Sequence, residues 1–432
     1  MFRAPTIGLS FDPGAVFAAR GRSRLWLCLL ALAVSACAAR AAAPKLYPGG
    51  AADVFYGLGV DGNGTVVIAG SRGADEGFFE LNSAGFSFTR LQPVRFSQEP
   101  GVIVSRDGGY LATLSDDKTA ALWPRATRQA EALPDFFPWD SVDAVTLIGG
   151  EAVVAGTVAD GFTRLPVLWN SRTGLQDLSF LWGVGTTLNF LNPDGQIVAM
   201  GIRLGEPAIL HGAASEALIL HDQGNDNFDV AGFSPNSRFI TANFGRTIFS
   251  QGILWSNLVP RLLAQPDDEP ARAVGAVTDS GFIGGQGRSL TGTQPRDGSA
   301  FIIDPRDGRA HWFDEWWAGL EAAPPLGSAI AWVTDLYEAN GQLYCLLERA
   351  DRSAALAVVA LGPPPGPQLA IASRPGGITL RWTASGNSTL ETTAGLPGGW
   401  QALGASPTRA GDNFSIDLPG SDRARFFRVR VQ

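Results

Sequence analysis

Apolar runs along this chain are broken at a nearly constant interval by a short polar turn. Asn63-Gly64, Gly108-Gly109, Gly149-Gly150, Asp194-Gly195, Asn236-Ser237, Ser280-Gly281 and Asn340-Gly341 each separate two apolar stretches, at successive spacings of 45, 41, 45, 42, 44 and 60 residues. In the first unit Gly57 to Val60 lead into the turn and Thr65 to Gly70 leave it, which predicts an inner strand and its hairpin partner. A third strand is expected 14 to 21 residues after each turn. It is marked by Phe78-Phe79-Glu80, Ala121-Leu122-Trp123, Val167-Leu168-Trp169, Ala208-Ile209-Leu210, Ile253-Leu254-Trp255 and Ala300-Phe301-Ile302. A fourth ends near Leu91, Leu133, Leu178, Leu218 and Leu262. Four strands in about 40–45 residues is the length of one propeller blade, and seven turns predict an all-β, seven-bladed β-propeller. Trp123, Trp169 and Trp255 fall at matching places in their units, where a large ring would wedge one blade against the next.

The seventh unit is short. Val333 to Leu347 give its inner hairpin and Ala354 to Leu361 its third strand, after which the chain runs into Gly362-Pro363-Pro364-Pro365-Gly366-Pro367. An open sheet edge would remain unless another segment filled it, so Lys45 to Tyr56 is expected to supply the missing strand. The long sixth spacing implies about 15 inserted residues, including His311-Trp312-Phe313-Asp314-Glu315-Trp316-Trp317. Beyond the proline run, Ile378, Leu380 and Trp382 alternate with polar residues, as do Phe414, Ile416 and Leu418 and then Phe427, Val429 and Val431. With Thr389 to Thr393 and Trp400 to Leu403 they predict a small β-sandwich built around Trp382 and Trp400. The expected division is 1–43 as export signal and spacer, 44–361 as propeller, 362–367 as a semi-rigid linker, and 368–432 as the C-terminal module.

Composition adds the compartment. Arg20, Arg22 and Arg24 precede the uncharged apolar run Leu25 to Ala36, which is too short for a bilayer span of roughly 20 residues and suits the core of a secretory signal. Two maturation routes stay open. Val34-Ser35-Ala36-Cys37 resembles a bacterial lipobox, which would lipidate Cys37, while Ala39-Arg40-Ala41 offers an ordinary cleavage site. Without Cys28 and Cys37 the mature body keeps only Cys345, so packing rather than an internal disulfide must hold it. The expected location is extracytoplasmic, with membrane contact only through that lipid anchor. A net charge of −8 and no basic stripe argue against nucleic acid. Only 17% of residues are charged, while 53 glycines and 28 prolines serve a chain of many short strands and tight turns.

Two resemblances emerge at this point. The run from Gly57, with Val60-Asp61, Asn63-Gly64, Val66-Val67 and Ala69-Gly70, and the later Leu-Trp pairs resemble the divergent propeller repeats of exported bacterial proteins, similar to HAF-type repeats. Ser299-Ala300-Phe301 stands where those repeats carry His-Ala-Phe. Leu380-Arg381-Trp382, Leu390-Glu391-Thr392-Thr393, Gly399-Trp400 and Arg425-Phe426-Phe427-Arg428-Val429-Arg430 resemble a short C-terminal module common in secreted proteins of Verrucomicrobia. Neither resemblance implies catalytic residues.

Chemistry is sparse in the sequence. His211, His221 and His311 form no spaced ligand pair, so no zinc site is expected, and no nucleophile elbow or phosphate loop is present. Asp222, Asn225, Asp226, Asn227 and Asp229 bring oxygen donors together, the ligand chemistry of Ca²⁺. Their spacing departs from a regular calcium loop, and a solvated inter-blade loop is the expectation there, as for Asp267-Asp268-Glu269. The candidate ligand-binding residues are Trp312, Asp314, Glu315, Trp316 and Trp317, where aromatic rings beside carboxylates suit sugar recognition. Their structural alternative is that the tryptophans fasten the insertion to the propeller. Function follows as a non-enzymatic, monomeric scaffold presenting loops to an envelope protein or polysaccharide. Its rival is a carbohydrate-active hydrolase or lyase using carboxylates around the central channel.

Overall fold

The computed structural model describes residues 42–361 apart from 92–100, 116, 135–137, 204, 222–227, 246–250, 267–270, 272 and 288–295. Farther on it describes 370–374, 377–383, 388–393, 401–403, 407–410, 413–419 and 426–431. The N-terminal segment with Cys37, expected to be an export signal, the 362–367 run, Trp400 and most of the two acidic loops therefore lie outside the described residues.

Each turn in the sequence folds as an inner hairpin, and each hairpin grows outward into a four-stranded antiparallel sheet. Blade 1 is Asp53–Val60, Val66–Arg72, Asp75–Asn82 and Gly85–Arg90. The inner strands of blades 2 to 7 are Val102–Val104, Trp139–Ile148, Thr187–Leu191, Phe228–Phe233, Ala273–Val277 and Ile330–Ala339. The turns need one residue in left-handed conformation, which explains their glycine: φ is +83° at Gly64 and +76° at Gly195, with Ser237 taking the same role at +62°. The second strands are sandwiched between neighbouring blades and read as continuous apolar runs. Six of the seven residues of Val66–Arg72 are buried.

The seventh blade is Ile330–Ala339, Gln342–Arg349 and Ala354–Ala360, completed by Lys45–Pro48. Lys45 lies opposite Val358 and Pro48 opposite Ala355, antiparallel. The closing strand is thus shorter than the expected Lys45 to Tyr56. Gly49 to Ala52 form a turn, and Asp53 onward already belongs to the inner strand of blade 1.

Seven apolar clusters occupy the seven successive blade interfaces, so the ring is packed all the way round. Each expected tryptophan wedge faces the preceding blade. Trp123 packs with Val67, Ala69 and Phe78 of blade 1, Trp169 with Ala112 and Leu122 of blade 2, and Trp255 with Val198 and Ile209 of blade 4. Leu91, Leu133 and Leu178 sit just beyond their outer strands, buried, each amide donating back to its third strand or the residue beside it. In blade 5 this role falls to Leu263, while Leu262 is exposed. Cys345 is buried in the interface of blades 6 and 7, where desolvation pushes its thiol far above the usual range.

The inner turns are also linked to one another. Val60 N–H donates to Arg106 O at 2.9 Å, Asn236 N–H to Asp279 Oδ1 at 2.8 Å, and Thr278 Oγ1–H to Glu338 Oε1 at 2.5 Å. Blades 1 and 2 approach so closely that a Cβ on Gly59 would lie 2.1 Å from Ser105 O.

In the C-terminal module, Ala370–Arg374, Gly377–Thr383, Asn413–Pro419 and Thr408–Ala410 form one sheet. Ser388–Thr393, Gln401–Ala402 and Phe426–Val431 form another. Leu380, Trp382, Leu390, Phe414, Ile416 and Leu418 make a common cluster, with Trp382 stacked on Phe414 at 5.5 Å. Among the described residues, no helix is long and apolar enough to cross a membrane.

Closure by four residues has a measurable consequence. A chain beginning after Pro48 should melt about 5 °C or more below one beginning at residue 42, since it exposes the edge of blade 7 and loses Leu46 and Tyr47 from two blade interfaces. Equal melting temperatures would contradict closure by this strand.

Candidate functional site

The inserted segment is built as follows. Arg309–Trp312 is the outer strand of blade 6, and Phe313–Ala318 is a short helix on the way to blade 7. Trp312, Trp316 and Trp317 are all buried. Trp312 packs between blades 5 and 6, while Trp316 and Trp317 join Phe313 in the interface of blades 6 and 7. Trp317 Nε1–H donates to Pro324 O at 2.7 Å, and Trp316 Nε1–H to Asp304 Oδ2 at 3.0 Å. Burial opposes the charge of Asp304, but its bonds from Arg306 and Trp316 outweigh that and hold its carboxyl below the ordinary range.

Asp314 and Glu315 are exposed, and both are bridged by Arg296, at 2.8 and 2.7 Å, whose guanidinium also lies over the Trp312 ring at 5.6 Å. His311 Nε2 is 2.8 Å from Asp307 Oδ2. The structure therefore keeps the five residues together, with the ring faces turned into blade interfaces and the carboxylates at the surface. This arrangement fastens the insertion. Among the described residues, no three His, Cys, Asp or Glu side chains are grouped to hold a metal ion.

A different set of residues converges at the propeller axis. Inner strands of all seven blades line a cavity of about 430 Å³. In six of them the register with the second strand slips, once in blades 1, 4 and 5, twice in blades 3 and 7, and over two residues in blade 6. The slips skip Tyr56 in blade 1, Asp143 in blade 3, Asn189 in blade 4, Ala231 in blade 5, Gly275 and Ala276 in blade 6, and Thr334 in blade 7. A bulge re-aims a side chain out of the strand's alternation, and Tyr56, Asp143, Asn189, Ala231, Ala276 and Thr334 all line the cavity. Six blades thus each place a residue skipped by the register on the cavity lining, while blade 2 contributes Val102, Ile103, Val104 and Arg106 without a slip.

The ionic content of the channel is small. Arg106 and Asp335 form a two-bond pair, Nη1 to Oδ2 at 2.6 Å and Nη2 to Oδ1 at 2.9 Å. Asp335 also accepts from Leu58 N–H at 3.1 Å, and Arg106 donates to Leu58 O at 3.1 Å, so the pair joins blades 7, 1 and 2. Burial works against the Arg106 charge, and the adjacent Asp335 carboxylate outweighs it, so the guanidinium keeps its proton above the ordinary range.

Asp143 is the other carboxyl. Its Oδ2 accepts from Ser141 Oγ at 3.0 Å, and Ser141 Oγ is 2.7 Å from Thr157 Oγ1. Burial raises its pKa to about 7, opposed by the Ser141 bond and aided by nearby Asp140. The cations of that region, Lys118 and Arg164, lie on Asp140 instead, at 3.1 and 2.7 Å.

None of these channel residues was singled out by sequence reasoning. The signal available was position: Tyr56, Asp143, Asn189, Thr334 and Asp335 lie five to eight residues before their turns as polar side chains in an apolar strand, whereas Arg106 stands beside its own turn.

No family model matches the chain. No curated protein matches it either. Among solved structures, an oligogalacturonate lyase from Vibrio parahaemolyticus is 9% identical over 74% of this chain and 97% of its own, with a TM-score of 0.48. An oligogalacturonate lyase in complex with manganese is 11% identical over 74% and 98%, TM-score 0.43. A puromycin hydrolase mutant complexed with PGG is 13% identical over 78% of this chain and 59% of that one, TM-score 0.45. Likenesses this distant carry no argument about activity, and the propeller rests on its own seven sheets.

Two outcomes follow. Trp312→Ala should cost about 3–5 kcal/mol of stability, the usual loss for a buried tryptophan, read as an early urea transition; a surface-like loss below about 0.5 kcal/mol would contradict its burial. Asp143 holds its proton more tightly folded than unfolded, so its contribution to stability is complete below the unfolded value of 3.8 and is lost as pH rises through 7. Asp143→Asn should therefore melt a few degrees above the wild type at pH 8 and lose that advantage at pH 4; a gap independent of pH would contradict it.

Proposed function

We propose that the chain is an exported, monomeric, non-enzymatic propeller that binds a ligand of the cell envelope, polysaccharide or protein, and that it receives the ligand's recognised group in the central channel. The observation that carries this reading is one cavity of about 430 Å³ at the axis, lined by residues of all seven inner strands, the bulged Tyr56, Asp143, Asn189 and Thr334 among them. A volume of this size suits a single sugar ring or a peptide side chain. Bulges are features that re-aim side chains, and their recurrence in blade after blade is hard to ascribe to packing alone. The signal-like N-terminus supports export, with or without a lipid on Cys37. The kinship proposed with it is to exported HAF-type repeats, with a C-terminal β-sandwich of the type found in Verrucomicrobia.

A second reading, a carbohydrate-active hydrolase or lyase, is favoured by one observation. The pKa of Asp143, raised to about 7 in an enclosed site, is the tuning expected of a general acid or base. Against it, Asp335 is fully engaged by Arg106 and backbone N–H groups, so it is not available as the second carboxylate.

The test is a panel of envelope polysaccharides, their oligosaccharides and small polar metabolites, with wild type and Ala231→Phe, which fills the channel without removing a charge. Binding weakened at least tenfold in Ala231→Phe at unchanged melting temperature is expected. Binding indifferent to that substitution would move recognition to the loops. New reducing ends or unsaturated products, lost in Asp143→Asn, would establish the enzymatic reading instead.

A further inference from the structure

The charges lining the channel do not balance. Asp335 and Arg106 neutralise each other through two short bonds. Asp143 is left with the Ser141 hydroxyl as its partner, while the neighbouring cations Lys118 and Arg164 are held by Asp140. Much of the remaining lining is aliphatic or aromatic, including Leu58, Val104, Val145 and Phe190. When ionised, the channel therefore carries one uncompensated negative charge in surroundings that solvate it poorly.

We propose that the channel binds a protonated primary amine, seated on the Asp143 carboxylate beside Ser141 in the cavity that Asn189 and Tyr56 also line. This rests on the reading of the channel as the ligand site and names what that site takes. An ammonium group restores the missing charge where the low local dielectric makes the pairing strong, whereas an anion meets an unpaired carboxylate. A neutral polyol gains hydrogen bonds only. A compact ammonium needs only one of the acceptor sites that the Ser141 bond leaves on the carboxylate. The amine can come from an unacetylated amino sugar or from a lysine-like chain, since both present the same group.

Binding should depend on pH. The charged group that acts on Asp143 is Asp140 on its own strand, and the other titratable residues lining the cavity are Arg106, Asp335 and Tyr56 of blades 2, 7 and 1. Burial keeps the Asp143 proton on up to about pH 7, so protons compete with the amine below that value.

The experiment is titration calorimetry on the mature chain at pH 8 and pH 6. The probes are Nα-acetyl-lysine amide, a glucosamine oligomer, and the N-acetylated counterpart of each. At least one free amine should bind, at least tenfold more tightly than its acetylated form. Which of the two binds identifies the source. The lysine probe, if it is the ligand, should weaken severalfold at pH 6, and Asp143→Asn should abolish binding while Asp143→Glu retains part of it. Should Asp143→Asn fail to fold, the acetylation contrast in the wild type still decides. Equal binding of free and acetylated probes, or amine binding unchanged in folded Asp143→Asn, would overturn the proposal. Failure of both amines, alongside another ligand that Ala231→Phe excludes, would overturn the amine and spare the channel. If no ligand responds to Ala231→Phe, the channel reading itself falls.

Discussion

The interaction on which the rest of the structure depends is the pairing of Lys45–Pro48 with the third strand of blade 7. Six blades can be laid down in chain order, each packing on the one before, but only this return of the N-terminal segment removes the open edge. It also brings blade 1 against blade 7, which allows Asp335 to reach Leu58 and Arg106. Buried ion pairs add little net stability when intact, and they leave an expensive charge when one partner is missing. The Arg106–Asp335 pair therefore acts as a register device across the seam, satisfied only when blades 7, 1 and 2 are in place together. With a single cysteine described, and that one buried, the seam is held by hydrogen bonds and packing.

A closed ring fixes the geometry of its centre. Seven inner strands converge there, and strands that alternated regularly would present whatever the core pattern left over. The bulges change that. Each inserts a residue outside the strand's alternation, so polar residues join the lining alongside apolar ones, such as Leu58 and Val145, that also hold the blades. Asp143 shows the result: Val142 and Ala144 on either side pack in blade interfaces as well as bordering the cavity, and Asp143 between them adds a carboxyl to the lining. Fold and site thus share the same strands with little conflict between them.

Much of the architecture was legible in the sequence because it rests on short-range signals. Left-handed turn positions demand Gly, Asn or an occasional Ser, and they recur with the blade. The wedge residues Trp123, Trp169 and Trp255 are large enough to read at a fixed offset. The need for a closing strand followed from counting strands in the seventh unit, though its end at Pro48 depended on where blade 1 begins. The site was not legible for the same reason. A register slip at Asp143 or Asn189 is a tertiary event with no composition of its own, and Arg106 meets Asp335 across the ring from 229 positions away. The aromatic and acidic segment from Trp312 to Trp317 drew attention by composition. Composition does not tell which way a ring faces, and Pro324 and Asp304 turn out to hold two of those indoles. Leu262 and Leu263 differ in the same manner, one exposed and one buried at adjacent positions.

The central claim is that the bulge of blade 3 puts a buried carboxyl on the channel lining with the Ser141 hydroxyl, not a cation, as its partner. The most direct measurement is the titration of the Asp143 side-chain carboxyl by ¹³C NMR, assigned by its loss in Asp143→Asn, on the mature chain without ligand. A midpoint near 7 is the expected result. A midpoint near 4, the value of an aspartate in open water, would mean that the channel does not shield this group, and the reading of it as a binding site would fail with it.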